Sequence, residues 1–217
     1  MPLANYGKPP STQAYTLAVA YHASLIGSDF SRQNLSGYDL RGANFTSSRF
    51  DYADLSGGNF EGCNFTNCSF RRANLSRANF TKAIMTKCDL SRADMHLANF
   101  TDADLVASDI TAAYMKAALF LRTDARSAHF RRVDAKNAMF ISADLRKCNF
   151  VGAELLGARF DYSKVWGIRN ADMAIFKWWL SPHGGPPSYR PREGWMELNE
   201  SILGGQSIQE NSARSMT

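Results

Sequence analysis

No apolar run in the 217-residue sequence is long enough to cross a membrane. The longest, Tyr15 to Ile26, covers 12 residues and is broken by Thr16, His22 and Ser24, whereas a spanning helix needs roughly 20. Cysteine is sparse: four thiols in a chain of this size make no disulfide framework, and a reducing cytoplasm is the expected compartment. An export signal would place Lys or Arg ahead of an apolar run, but Lys8 is followed by Pro9, Pro10, Ser11 and Thr12. Phosphate loops, nucleophile elbows and zinc-protease motifs are absent. His22, His96, His129 and His183 stand at no metal-ligand spacing. Charge of one sign is also lacking: 25 basic against 20 acidic residues leave a net charge of +5, a weak attraction for an anionic partner. No catalytic residue, metal or cofactor is expected.

What is present is a period of five. Every fifth residue from Leu25 to Val165 gives 29 positions over 141 residues without an insertion, and all are apolar: thirteen Phe, nine Leu, three Met, two Ala, one Ile and one Val. Two residues before each centre the side chain is small (Ala, Ser, Cys, Gly or Thr) in 26 of 29 cases, the exceptions being Gln33, Tyr38 and Val133. One residue before the centre, Asp occurs ten times and Asn eight. Ala43-Asn44-Phe45-Thr46 and Ala53-Asp54-Leu55-Ser56 are typical stretches. This period matches neither the helix, at about 3.6, nor the strand, at about 2. It matches a coil of short straight faces joined by corners. The centre and the small residue point inward, and Asp, Asn, Ser and Thr bond locally to turn backbone.

The pattern resembles the pentapeptide-repeat family, with its tandem Ala-Asp/Asn-Leu/Phe-X-X units. The resemblance covers roughly two-thirds of the chain. It implies an all-β fold: a right-handed quadrilateral β-helix with four faces and 20 residues per coil, about seven coils, and a rod on the order of 34 Å long. Columns 20 apart agree with it. One reads Leu40, Phe60, Phe80, Phe100, Phe120, Phe140, Phe160, and the opposite one Phe30, Phe50, Phe70, Leu90, Ile110, Phe130, Phe150. The undersized centres Ala125 and Ala135 follow the oversized inward residues Thr123 and Val133, a compensation of volume.

The organisation reads as an N-terminal cap over 1–22, the repeat over 23–167, a C-terminal cap over 168–203 and a disordered polar tail over 204–217. A solenoid must cover its apolar ends. Ser11 or Thr12 is the candidate N-cap of the first segment. Trp178 and Trp179, ahead of a Pro/Gly loop, are the candidates for the lid that folds back over the last coil.

The cysteines, Cys63, Cys68, Cys88 and Cys148, all occupy the small inward position and read as filler. Cys68 and Cys88 stack one coil apart, within disulfide reach, but their parallel side chains argue against a bond. Two surface features stand out. Arg32, Arg72, Arg92 and Arg132 recur at one outward position of one face, with Arg71 and Arg131 beside two of them. Asp51, Asp89 and Asp109 share that face, so solvated ion pairing is the plain reading. Leu119, Leu121, Met139 and Ile141 form an outward apolar group on another face, to be covered by the C-terminal segment, a partner or a second copy of the chain.

Three functions follow. The first is a non-catalytic rigid scaffold that holds an unidentified protein partner along one flat face. The second comes from the resemblance: a family branch protects DNA gyrase and topoisomerase IV from quinolones by imitating duplex DNA. Residues 23–165 carry 19 basic and 15 acidic side chains, the wrong sign for that imitation, although Asp54, Asp94, Asp134 and Glu154 share a face. The third is binding of nucleic acid or another polyanion through the arginine stripe. Nucleic acid is the weaker choice, because the stripe lacks the aromatic interleaving of single-strand binders.

Overall fold

The computed structural model describes residues 25–169. The expected caps over 1–22 and beyond Arg169, including Ser11, Thr12, Trp178 and Trp179, lie outside the described residues, as do His22 and His183. Within them the chain is an all-β solenoid. Parallel bridges join each residue ahead of a centre to its equivalent 20 positions on, unbroken from Asp29 with Arg49 to Asn149 with Arg169. Four such positions fall in every 20 residues, so each coil has four faces. They are called here the first (centres Leu25, Phe45, Phe65), second (Phe30, Phe50, Phe70), third (Leu35, Leu55, Leu75) and fourth (Leu40, Phe60, Phe80).

Backbone groups find partners mainly in the neighbouring coils. Phe30 donates its N–H to the Arg49 carbonyl at 2.7 Å and Arg32 to that of Asp51 at 2.9 Å, while Asp54 reaches back to Gln33 at 2.9 Å. The remaining bond closes the corner within a coil, from the Gln33 N–H to the Phe30 carbonyl at 3.1 Å. Few backbone groups are left over to be buried unpaired, which a chain with this little local structure requires.

The corner needs an unusual backbone. The second residue after each centre has positive φ at all 29 such positions, eight of them glycine and 21 not. A positive φ at the third residue of a turn closed by an i to i+3 bond defines a type II turn. For a residue with a Cβ this conformation costs roughly 1–2 kcal/mol. Help comes from the residue ahead of the centre. Every one of the 18 Asp and Asn residues at that position accepts the N–H two residues on, as Asn99 does from Thr101 at 3.0 Å and Asp104 from Val106 at 2.9 Å. Ser and Thr add a hydroxyl bond to the same oxygen, as in Thr81 to Asn79 at 2.6 Å. The turn chemistry read from the sequence is thus carried by Asp and Asn just before the centre.

The lumen is filled. Phe60, Phe80, Phe100, Phe120 and Phe140 are wholly buried and stacked, with ring centroids 4.8–5.1 Å apart. Rings of the second face meet them edge-on across the lumen, Phe130 lying 5.7 Å from Phe140 at 90°. Such pairs add about 0.5–1.5 kcal/mol to simple burial. Ala125, Ala135, Thr123 and Val133 are all buried as well, in keeping with volume compensation in that coil.

Replacing Phe100 with Ala is expected to lower stability by about 3–5 kcal/mol in chemical denaturation, and Phe100→Asp should prevent folding. A Phe100→Asp protein with an unchanged β signal and melting temperature would show that the inward register is misassigned. A second expectation has an unusual sign. Ala112 has φ +59°, so Ala112→Gly should raise stability by up to about 1 kcal/mol, relief of the left-handed strain exceeding the added unfolded-state entropy. A melting temperature that falls instead would refute the account of the corner.

Candidate interaction surface

The small inward position does more than leave room. Ser48, Cys68, Cys88, Ser108 and Cys148 on the second face, and Cys63, Thr123 and Ser163 on the first, each donate to the carbonyl of a centre 23 residues back. Cys68 bonds to Phe45 at 2.9 Å, Ser108 to Met85 at 2.6 Å, Thr123 to Phe100 at 2.7 Å, and Ser163 to Phe140. Many of these carbonyls already accept a corner N–H, so the hydroxyl or thiol takes the second lone pair. Sequence reasoning read the cysteines among them as filler and Thr123 as volume compensation for Ala125. The signal that distinguishes them is their confinement to two of the four columns.

The cysteines are buried and free, Cys68 and Cys88 included. Burial pushes the thiols of Cys63, Cys68 and Cys148 up to about 12 and that of Cys88 well above its ordinary value. The thiolate, which is the reactive form, is therefore suppressed. His96 and His129 stand on different faces, and among the described residues no three His, Cys, Asp or Glu side chains converge on a metal position. With the Asp residues ahead of the centres engaged by turn N–H groups, the chemistry left to the rod lies on its outside.

The structure corrects the geometry of the arginine stripe. Arg32, Arg72, Arg92 and Arg132 occupy the positive-φ position of the turn, so they line the edge between the second and third faces and not a flat face. The same column continues through Tyr52, Ala112 and Gly152. The Arg32 and Arg72 guanidinium groups lie over the Tyr52 ring, 5.4 and 5.7 Å from its centroid. Tyr52 sits one coil from each and is itself half exposed.

Ion pairing was the plain reading for all six arginines, and it holds for Arg71 alone. Arg71 reaches Asp51 at 3.7 Å and Asp89 at 3.8 Å, in a chain that runs through Arg49 to Asp29. Asp51 is buried at its centre and also accepts from Ser69 and from the Arg71 N–H. Arg32, Arg72, Arg92, Arg131 and Arg132 make no ion pair among the described residues. The acidic column of the third face is partly neutralised, since Lys116 lies 3.2 Å from Asp134 and Lys136 bonds Glu154.

Leu119, Leu121, Met139 and Ile141 do form one block on the fourth face, joined by the bridge between Leu119 and Met139. All four are half-buried. They replace the polar pairs Asn79 with Thr81 and Asn99 with Thr101 found lower in the same columns. More exposed apolar side chains stand elsewhere, among them Leu97, Tyr114, Leu156, Tyr162 and Trp166.

With the coil and its surface established, comparison with known proteins settles the family. A model of pentapeptide repeats matches residues 23–62, 59–96, 86–116 and 128–167, in eight copies. The chain belongs to the pentapeptide-repeat family. The matches pass over 117–127, where Leu119, Leu121 and Ala125 depart from the consensus, yet the bridges run through that stretch without a break. Among solved structures the chain is similar to a trypsin-treated form of QnrB1, a plasmid-mediated fluoroquinolone resistance protein. Identity is 25%, the TM-score 0.52, and the alignment covers 66% of this chain and 70% of that one. It is also similar to HetL, a pentapeptide-repeat protein involved in heterocyst differentiation regulation from the cyanobacterium Nostoc. There the identity is 22%, the TM-score 0.32 and the coverage 66% and 85%. No curated protein matches the sequence.

At pH 8 the folded pentapeptide-repeat protein should not react with a colorimetric thiol reagent, and four thiols should titrate once it is unfolded in denaturant. The folded thiols hold their protons above the pKa of an unfolded cysteine. Their contribution to stability is therefore complete below about pH 8.5 and is lost as pH rises through the folded values. Rapid labelling of the native protein would contradict the burial.

Proposed function

We propose that the chain forms a right-handed rod of about seven coils that acts as a non-catalytic scaffold, holding a protein partner along its outside. The observation that carries this reading is the filled lumen. Its central side chains, from Leu25 to Val165, are all buried, and the Asp carboxylates ahead of them are engaged by turn backbone. An enzyme needs a concave site lined by convergent polar groups, and a rod of this build offers straight faces and edges instead. Family membership supports the same reading. The cytoplasm is the proposed location.

A second reading has one specific observation in its favour, the structural likeness to a fluoroquinolone resistance protein. Carried over, it would make this chain a topoisomerase-binding protein that imitates DNA. The charge argues against it. A surface that competes for a phosphate-binding saddle needs a negative field, and the repeat carries four more basic than acidic residues. Like charges brought together at an interface cost several kcal/mol.

Purified protein at micromolar concentration is expected to leave gyrase supercoiling, and its inhibition by a quinolone, unchanged. A partner identified by affinity capture should re-form a complex from purified components with neither one covalently altered. Protection of gyrase would favour the second reading over the first, and covalent turnover of the partner would overturn the non-catalytic assignment.

A further inference from the structure

We infer that the edge between the second and third faces binds an extended acidic segment of a partner protein. This rests on the scaffold reading and assigns it a surface and a partner chemistry. The first argument is the unpaired charge. Carboxylates lie close along the chain on both sides of the edge, yet Arg32, Arg72, Arg92, Arg131 and Arg132 pair with none of them. Elsewhere on the rod Arg41, Arg122, Arg126, Arg146 and Arg159 are each matched to a nearby Asp at 2.6–2.9 Å. Among the described residues, the unpaired corner cations Arg77, Lys82, Lys87 and Lys147 stand one or two to an edge against the four arginines here.

The second argument is where these side chains are carried. The edge position has positive φ, which glycine adopts freely, and the other three corners of the first coil hold Gly27, Gly37 and Gly42. The fourth holds Arg32. Arg32 and Arg72 are held further by contact with the Tyr52 ring, which limits their rotamers and reduces the entropy lost on binding.

The third argument is width. Asp29, Asp89 and Asp109 border the edge on the second face, and Asp54, Asp94 and Asp134 on the third. A duplex or an anionic membrane is broad enough to meet those carboxylates, whereas a single extended chain touches the edge alone. Arg32 to Arg132 spans five coil steps, on the order of 24 Å, the length of about seven extended residues. Alternate side chains of such a segment point the same way about 7 Å apart. Their carboxylates suit the bidentate geometry of guanidinium groups.

The test is fluorescence anisotropy of the full chain at low salt with a labelled eight-residue peptide of alternating Glu and Ser. Single-stranded and duplex DNA of similar length serve as competitors. The expected result is binding that weakens as salt rises and that neither DNA displaces at equal concentration. Arg72→Asn, Arg92→Asn and Arg132→Asn combined should weaken binding at least tenfold, asparagine being chosen because it tolerates the corner conformation. Arg77→Asn, Lys82→Asn and Lys87→Asn combined remove the same charge from the other three corners and should change binding less than twofold. Tyr52→Ser, which keeps every charge, should weaken it severalfold. Circular dichroism and melting should show both triple variants folded. Absence of peptide binding, equal losses in the two triple variants, or displacement by DNA would each overturn the inference. A scaffold that uses another face would fail this test and still re-form its captured complex, so the two readings fail separately.

Discussion

The whole rod depends on a left-handed backbone conformation that returns at every fifth residue. It turns the chain through one corner and delivers the next short face in register with the coil below. The ladder bonds to residues 19 ahead and 21 behind exist only because all four sides of every coil are five residues long. One extra residue would rotate each later centre away from the lumen and offset each later ladder bond. This explains why 141 residues run without an insertion, although loops usually tolerate them. A conformation that costs energy at each corner is held because the stacked neighbours and the filled lumen over-determine it.

The same constraint decides what the polar residues can do. A chain rich in Asp invites a search for paired catalytic carboxylates, but here each Asp ahead of a centre is bound by the N–H of its own turn. Inside, hydroxyls and thiols take the spare lone pairs of carbonyls that face the lumen, where an unsatisfied acceptor would carry its full desolvation penalty. The exposed ion pairs contribute little, since surface pairs are worth about 0–1 kcal/mol. Stability comes from rings and ladders, which leaves the surface residues free to vary.

The fold was largely legible because burial repeats with the period of the chain. The apolar centres, the small inward neighbours and the two opposed phenylalanine columns all appear as columns of one-letter text, and the structure places them accordingly. The left-handed corner was not legible. Its usual mark is glycine or asparagine, and here arginine, lysine, serine and alanine fill most of the positions because the neighbouring coils enforce the conformation. The pairing of the arginines was equally hidden. Arg71 and Arg72 are adjacent in sequence, yet one joins an ion-pair network around buried Asp51 and the other lies over Tyr52. Which carboxylate an arginine reaches depends on whether it stands on a face or at an edge, and one residue of offset changes the answer.

That offset bears on how such a rod can be recognised. Outward side chains are stacked at the coil spacing of about 4.8 Å, so a face or edge presents its chemistry as a ladder with fixed steps. A rigid ladder loses little entropy on binding, and its selectivity follows from which steps carry charge. Most arginines on the faces of this rod are matched to a nearby Asp, so the faces offer an acidic partner little unspent positive charge. Among the described residues, the edge between the second and third faces keeps its guanidinium groups free of ion pairs, and Tyr52 partly orders two of them. On a molecule of nearly balanced charge, it is this local mismatch, and not the small net positive charge, that distinguishes one line of the surface from the other three.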